Sequence, residues 1–153
     1  MTVPPRDGAA QALAERVVAH MLEHDEFSRW LGLEVTHLSP NAATVRMTVR
    51  PEMVNGQRIA HGGFIFTLAD SAFAFACNSH NDRAVAAHND ITFIRPGKLG
   101  DKLVATAREI LRSGRSGIYD VQVTVGGVVI AEFRGHSRTI GGTWLPTETD
   151  NKK

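Results

Sequence analysis

Between Phe64 and Cys77 the chain reads FIFTLADSAFAFAC, in which 11 of 14 residues are apolar. They fall on every side of a helix rather than along one stripe, so the helix must be buried all round. Fourteen residues are too few to cross a bilayer, and Asp70 at the centre argues further against it. A small soluble domain can bury such a helix only by wrapping other elements around it.

The flanking sequence supplies the wrapping. Ala9–His24 carries Leu13, Val17, Met21 and Leu22 at helical spacing. Asp25 can cap a further short turn holding Phe27, Trp30 and Leu31, which Gly32 ends. The period then changes to two. Leu33 and Val35, then Val45, Met47 and Val49, alternate with polar residues across the turn SPNA, which predicts a hairpin. Beyond the apolar helix, strands are expected over Ala84–Ile94, Lys102–Leu111, Ile118–Val125 and Val128–Thr139. Gly126-Gly127 marks a two-residue hairpin between the last pair. The order is helix, two strands, one long helix, four strands: an α+β chain whose antiparallel sheet wraps the long helix.

Composition narrows the class. The chain has 153 residues, a net charge of +1 and 42% apolar residues, so one domain with a sizeable core is expected, and no global field draws it to nucleic acid or membrane. The single cysteine, Cys77, excludes a disulfide framework. MTVPPRDG lacks the apolar core of a signal peptide, and a cytoplasmic location is expected. Residues 1–8 are expected to fray, and the polar tail after Gly141 to be loose.

The chemistry concentrates around the helix start. His61-Gly62-Gly63 lets another molecule approach the backbone closely. The first amides of a helix lack internal partners and carry partial positive charge, so they can hold an oxygen that becomes negative during a reaction. Gly63, Phe66, Phe73, Ala74 and Cys77 share the face of Asp70, and two phenylalanines beside a carboxylate should raise its pKa. The competing explanation is structural, with Asp70 bonded to Ser71, Thr67 or a backbone group. The glycine-opened start two turns earlier favours chemistry.

Spacing adds a constraint. Gly62 and Asp70 are eight residues apart, about 12 Å along one helix. One carbonyl cannot touch both. Two copies of the helix running antiparallel across a two-fold axis would set the Asp of one against the amide of the other, making the site a property of a dimer.

These residues have a family likeness. NGQRIAHGGFIFTLADSAFAFACNS resembles the hotdog-fold acyl-CoA thioesterases of the phenylacetic-acid degradation type, and so do DITFIRPGKLGDKLVATA, GIYDVQV and AEFRGHSRTIGGT. The resemblance covers a hotdog thioesterase domain over 27–143, which leaves an N-terminal segment and helix over 1–26 and a polar tail over 144–153 outside it. It implies dimers pairing into a homotetramer, and hydrolysis of acyl-CoA thioesters such as phenylacetyl-CoA or hydroxyphenylacetyl-CoA, with coenzyme A as part of the substrate and no separate cofactor. By the same resemblance the Gly62 amide polarises the thioester carbonyl, Asp70 is nucleophile or general base, and Asn55 and His61 border the site. A hotdog dehydratase or hydratase acting on 3-hydroxyacyl or enoyl thioesters is the alternative, kept open by His61. An acyl-CoA-sensing regulator would need a DNA-reading element, and the first 30 or so residues hold no basic recognition helix.

The remaining motifs are weaker. None of the seven histidines falls in HExxH or a tight His/Asp cluster, so no metal is expected. Cys77 reads as core, and the serines lack a nucleophile elbow. The basic turn Arg112-Ser113-Gly114-Arg115 is the preferred candidate for the phosphates of coenzyme A, with Gly63 at the helix start. Arg95, Lys98 and Lys102 form a second, less favoured basic stretch.

Overall fold

The computed structural model describes residues 8–150. Most of the segment expected to fray, residues 1–7, lies outside them, as do the last three residues of the tail. Helix α1 spans Gly8–Glu23 and buries Ala14, Val17 and Val18. Helix α2, Glu26–Leu31, is capped by Asp25, whose carboxylate accepts from the Ser28 amide at 2.9 Å, and ends at Gly32 with φ 69°. Strands β1 (Glu34–Ser39) and β2 (Ala42–Thr48) form the first hairpin. A 3-10 turn over Pro51–Met53 leads into the loop before helix α3, Gly62–Asn78. Strands β3 (Asp82–Phe93), β4 (Lys102–Ser113), β5 (Ser116–Val125) and β6 (Val128–Thr143) complete the chain.

All six strands join one antiparallel sheet in the order β1-β2-β4-β5-β6-β3. Helix α3 lies across it, touching every strand from β2 to β3, as an all-round apolar helix requires. Ile65, Leu68, Ala72, Phe75 and Ala76 enter a core shared with Val45, Met47, Leu103, Val121 and Phe133. Phe73 lies flat over Gly135 of β6, where a Cβ would stand 2.7 Å from the ring, so only glycine lets helix and sheet come this close. Gly126 and Gly127 turn the last hairpin with φ of 55° and 80°, the signs a type I′ turn needs.

Two details place the site. Strand β3 is an edge of the sheet, with one side unpaired among the described residues. Its register against β6 slips between Ala86 and His88, so Ala87 is an extra residue. Such a bulge reverses which side chains face inward. Ala84 is buried before it; Asn89, Ile91 and Phe93 turn toward α3 after it.

The end of the chain corrects one expectation. Trp144 and Leu145 are pinned rather than loose. Trp144 Nε1 donates to Asn78 Oδ1 at 2.7 Å, and the Leu145 amide donates to Asn81 Oδ1 at 2.8 Å. Arg83 stacks over the indole. The tail thereby covers the polar C-terminal end of α3. No helix among the described residues is long and apolar enough to cross a membrane.

Candidate active site

Helix α3 begins with its amides unequally used. His61 is the N-cap, in extended conformation, and its Nδ1 accepts from the Gly63 amide at 2.9 Å. Nδ1 is therefore unprotonated, and in the neutral ring the proton sits on Nε2. Gly63, expected to contact the ligand, has its N–H committed to this cap. The Gly62 N–H has no acceptor among the described residues. It is the one left to meet an incoming oxygen.

Asn55 supports the loop ahead of it. Its Oδ1 accepts from the amides of Gln57 and Ile59, at 2.9 and 3.3 Å, which leaves its NH₂ available to a ligand. Asn55 and Gly62 line a cavity of about 420 Å³ together with Ile59, Ile65, Phe93 and Arg95. That volume suits a small-molecule group and the walls are chiefly apolar. Phe93 lies against Gly62, where a Cβ would come within 2.9 Å of its ring.

Asp70 is not in this cavity. It is half-buried on the next turns of α3, and burial raises its pKa above the ordinary carboxylate value, as expected from the sequence. Neither Thr67 nor Ser71 bonds to it: Thr67 Oγ1 donates to the Gly63 carbonyl and Ser71 Oγ to that of Thr67. Its partner is Asn89 on β3, whose Nδ2 donates to Asp70 Oδ1 at 2.8 Å and opposes the upward shift. The sequence reading missed Asn89. The two phenylalanines expected beside the carboxylate pack on the sheet instead, Phe66 against Phe133 and Phe73 against Tyr119 and Phe133. The aromatic side chain in the cavity is Phe93. Cys77 is buried and its thiol is pushed up to about 12, mainly by burial, which makes it inert at neutral pH.

The basic turns separate. Arg112 and Arg115 border a narrow cleft with Cys77 and Tyr119, at the far end of α3 from Gly62. Arg115 donates twice to the Thr139 carbonyl, and Arg112 lies 4.0 Å from Glu109. Within one protomer the arginine beside Gly62 is Arg95, from the less favoured stretch. One cluster was also overlooked. His20, Glu23 and His24 bring their ligand-type atoms within 4.8 Å of one another where α1 ends. Their i, i+3, i+4 spacing was legible as one helix face, and none of them lines the Gly62 cavity.

An open helix-start amide facing an apolar cavity, with a half-buried carboxylate two turns on, is a layout for acyl transfer to water. Comparisons with known proteins agree. A thioesterase superfamily profile matches residues 57–131. The chain belongs to this superfamily. It is 44% identical over 124 residues to the acyl-coenzyme A thioesterase PaaI of Escherichia coli K12, covering 80% of this chain and 89% of that one. The structure of E. coli PaaI, from the phenylacetic acid degradation operon, superposes with a TM-score of 0.86 at 40% identity, over 88% of this chain and 98% of that one. A protein of Streptococcus mutans UA159 solved with acetyl-CoA superposes with a TM-score of 0.70 at 26% identity, over 72% and 90%. The fold is the hotdog thioesterase fold and the chain is a thioester hydrolase.

Proposed function

We propose that the protein hydrolyses acyl-CoA thioesters to the free acid and coenzyme A, acting on phenylacetyl, hydroxyphenylacetyl or related acyl groups. The observation that carries this reading is the division of labour along α3. An unpaired amide at Gly62 opens onto an apolar cavity, and the carboxylate of Asp70 sits about 12 Å further along the same helix. The thioester carbonyl accepts from the Gly62 amide, with the Asn55 NH₂ beside it. Asp70 of the partner subunit serves as nucleophile or general base at the carbonyl carbon. The amide stabilises the oxyanion, which collapses with loss of the thiolate of coenzyme A.

The pairing this requires has a natural place. The unpaired side of β3 is twelve residues of exposed edge, the kind of edge that recruits a second strand. Two copies joined there antiparallel would bring their α3 helices alongside in opposite directions, and such dimers can associate further into tetramers. A dehydratase needs a base for the C2 proton, and His61 is set up to donate instead: its Nδ1 accepts from the Gly63 amide, which leaves the proton of the neutral ring on Nε2. The place of E. coli PaaI in a phenylacetic acid degradation operon supports an aromatic acyl group, and so do Phe93 and the isoleucines of the cavity wall. The test is thiol release from a panel of phenylacetyl-, hydroxyphenylacetyl-, benzoyl- and aliphatic acyl-CoA thioesters. Release from arylacetyl thioesters well above the aliphatic ones is expected; turnover of enoyl-CoA by hydration without thiol release would overturn the reading.

A further inference from the structure

The end of α1 carries a group of side chains that the thioester chemistry leaves unused. His20, Glu23 and His24 fall at i, i+3 and i+4 on one helix face, and their ligand-type atoms all lie within 4.8 Å of one another. His20 Nδ1 stands 3.9 Å from Glu23 Oε2. The two imidazoles meet edge to face, with ring centroids 5.4 Å apart. Among the described residues, none of the three side chains hydrogen-bonds to any other part of the chain. Their nitrogens and oxygens are therefore uncommitted. An exposed ion pair between His20 and Glu23 would be worth little, so it does not account for the grouping.

The backbone favours a cation at this point. The last carbonyls of a helix lack internal partners and carry partial negative charge. Arg29 answers part of that charge, its Nη2 donating to the Glu23 carbonyl at 3.5 Å, and leaves the Glu23 carboxylate unpaired with it. Along the chain here Glu23, Asp25 and Glu26 outnumber Arg16 and Arg29.

We propose that His20, Glu23 and His24 form a surface site for a divalent transition-metal ion of the zinc class. Two imidazole nitrogens and one carboxylate oxygen are donors that zinc, nickel and copper(II) accept, whereas magnesium and calcium favour oxygen alone. Bonds of about 2.0–2.2 Å around a tetrahedral zinc set neighbouring donor atoms about 3.4 Å apart. Rotation of these surface side chains closes the present separations to that distance without moving the helix. One helix face supplies three ligands, and the fourth position falls to water. None of the three lines the Gly62 cavity, so the ion's role is structural. It ties the last turn of α1 to the corner leading into α2, and its binding favours the folded chain.

The test uses the untagged full chain stripped with EDTA, because a purification tag would bring histidines of its own. Equilibrium dialysis against Zn²⁺ should load one ion per chain. His20→Ala and His24→Ala should each weaken binding by at least about tenfold, no less than the loss of a residue that merely supports a ligand. Glu23→Gln, which keeps the shape and removes the charge, should weaken it as well, and Mg²⁺ should not compete. Zinc should raise the melting temperature of the wild type but not of the His20→Ala/His24→Ala double variant, whose melt without metal checks its fold. The rival histidine pair is His88 and His136, with rings 5.5 Å apart across β3 and β6 and Asp90 3.9 Å from His88. His88→Ala should leave the zinc load unchanged. A wild type that binds no zinc, or a load that survives the double variant, would overturn the assignment. Loss of the load in His88→Ala would overturn it too, by moving the ion to the sheet.

Discussion

The ring of Phe93 rests against Gly62 at the start of α3, and four residues back along the same strand Asn89 is bonded to Asp70. Strand and helix therefore measure the same gap twice. Four strand residues span about 13 Å and eight helix residues about 12 Å. Neither element bends to bring the amide and the carboxylate together within one protomer.

That gap makes subunit mixing decisive. Gly62→Pro and Asp70→Asn should each be nearly inactive alone. After subunit exchange, half of the dimers formed at random are mixed, and each mixed dimer has one of its two sites intact. Recovery of about a quarter of wild-type activity is expected in the mixture. Activity that stays at the level of the parents would place both groups of a working site in one chain.

Gly62→Pro is the sharper probe of the amide, because proline belongs at the first position of a helix and only the N–H is lost. His61, with φ −61° and ψ 132°, already has the extended conformation that a following proline requires. Phe93, half exposed, has room to swing from the new ring atoms. A loss in kcat of about 10²–10³ is expected, the usual effect of deleting an oxyanion donor. Gly62→Ala, which puts the same Cβ against Phe93 but keeps the amide, should lose much less. Equal losses would assign the effect to Phe93.

Asp70→Asn should cost at least about a hundredfold in kcat and yet raise the melting temperature. Burial lifts the Asp70 pKa, so the ionised carboxylate is worse off in the fold than in the unfolded chain. That penalty is fully present above the folded pKa, shrinks as pH falls below it, and is gone only below the unfolded value, where both states hold the proton. The variant should therefore melt higher than wild type near neutral pH, by an amount worth roughly 0.5–2 kcal/mol. The difference should shrink as pH drops toward the ordinary carboxylate value of 3.8. Thermal melts across that range check the sign.

Much of this site was legible because its signals were local. An all-round apolar run has one fate in a small domain, a His-Gly-Gly start exposes amides, and Gly126-Gly127 allows little but a hairpin. Asn89 was not legible. Alternation counted from the buried Ala84 puts His88 inward and Asn89 outward, and only the extra residue at Ala87 reverses it. Trp144 escaped for a related reason. Its partners, Asn78 and Asn81, lie more than sixty residues away, so nothing near it in sequence marks it as anchored. The phenylalanines failed differently: sharing the face of Asp70 put them close along the helix, but the depth of Gly135 drew Phe73 into the sheet.

The last prediction concerns the phosphate end of the substrate. In one protomer Arg112 and Arg115 stand at the wrong end of α3, beside Cys77. Cys77 lies seven residues beyond Asp70, about 10 Å. If antiparallel helices set Asp70 against Gly62 of the partner subunit, the arginine turn must pass beyond that glycine, on the side where the partner's Asn55 loop enters. The turn then reaches the same cavity mouth as Arg95, from the other subunit. Replacing Arg112 and Arg115 with alanine removes contacts made equally in ground and transition states, so KM should rise and kcat should hold. A charge-assisted contact of roughly 1.5–3 kcal/mol corresponds to about ten- to a hundredfold in KM for each productive arginine. Arg115 should contribute less, because its guanidinium already serves the Thr139 carbonyl. Added salt should weaken the wild type more than the double variant. An acyl thioester without the nucleotide is the control, and its hydrolysis should be indifferent to the change. A KM for the coenzyme A thioester within twofold of wild type would leave the turn as a solvated hairpin tip and pass the phosphates to Arg95, where Arg95→Ala would then show the loss.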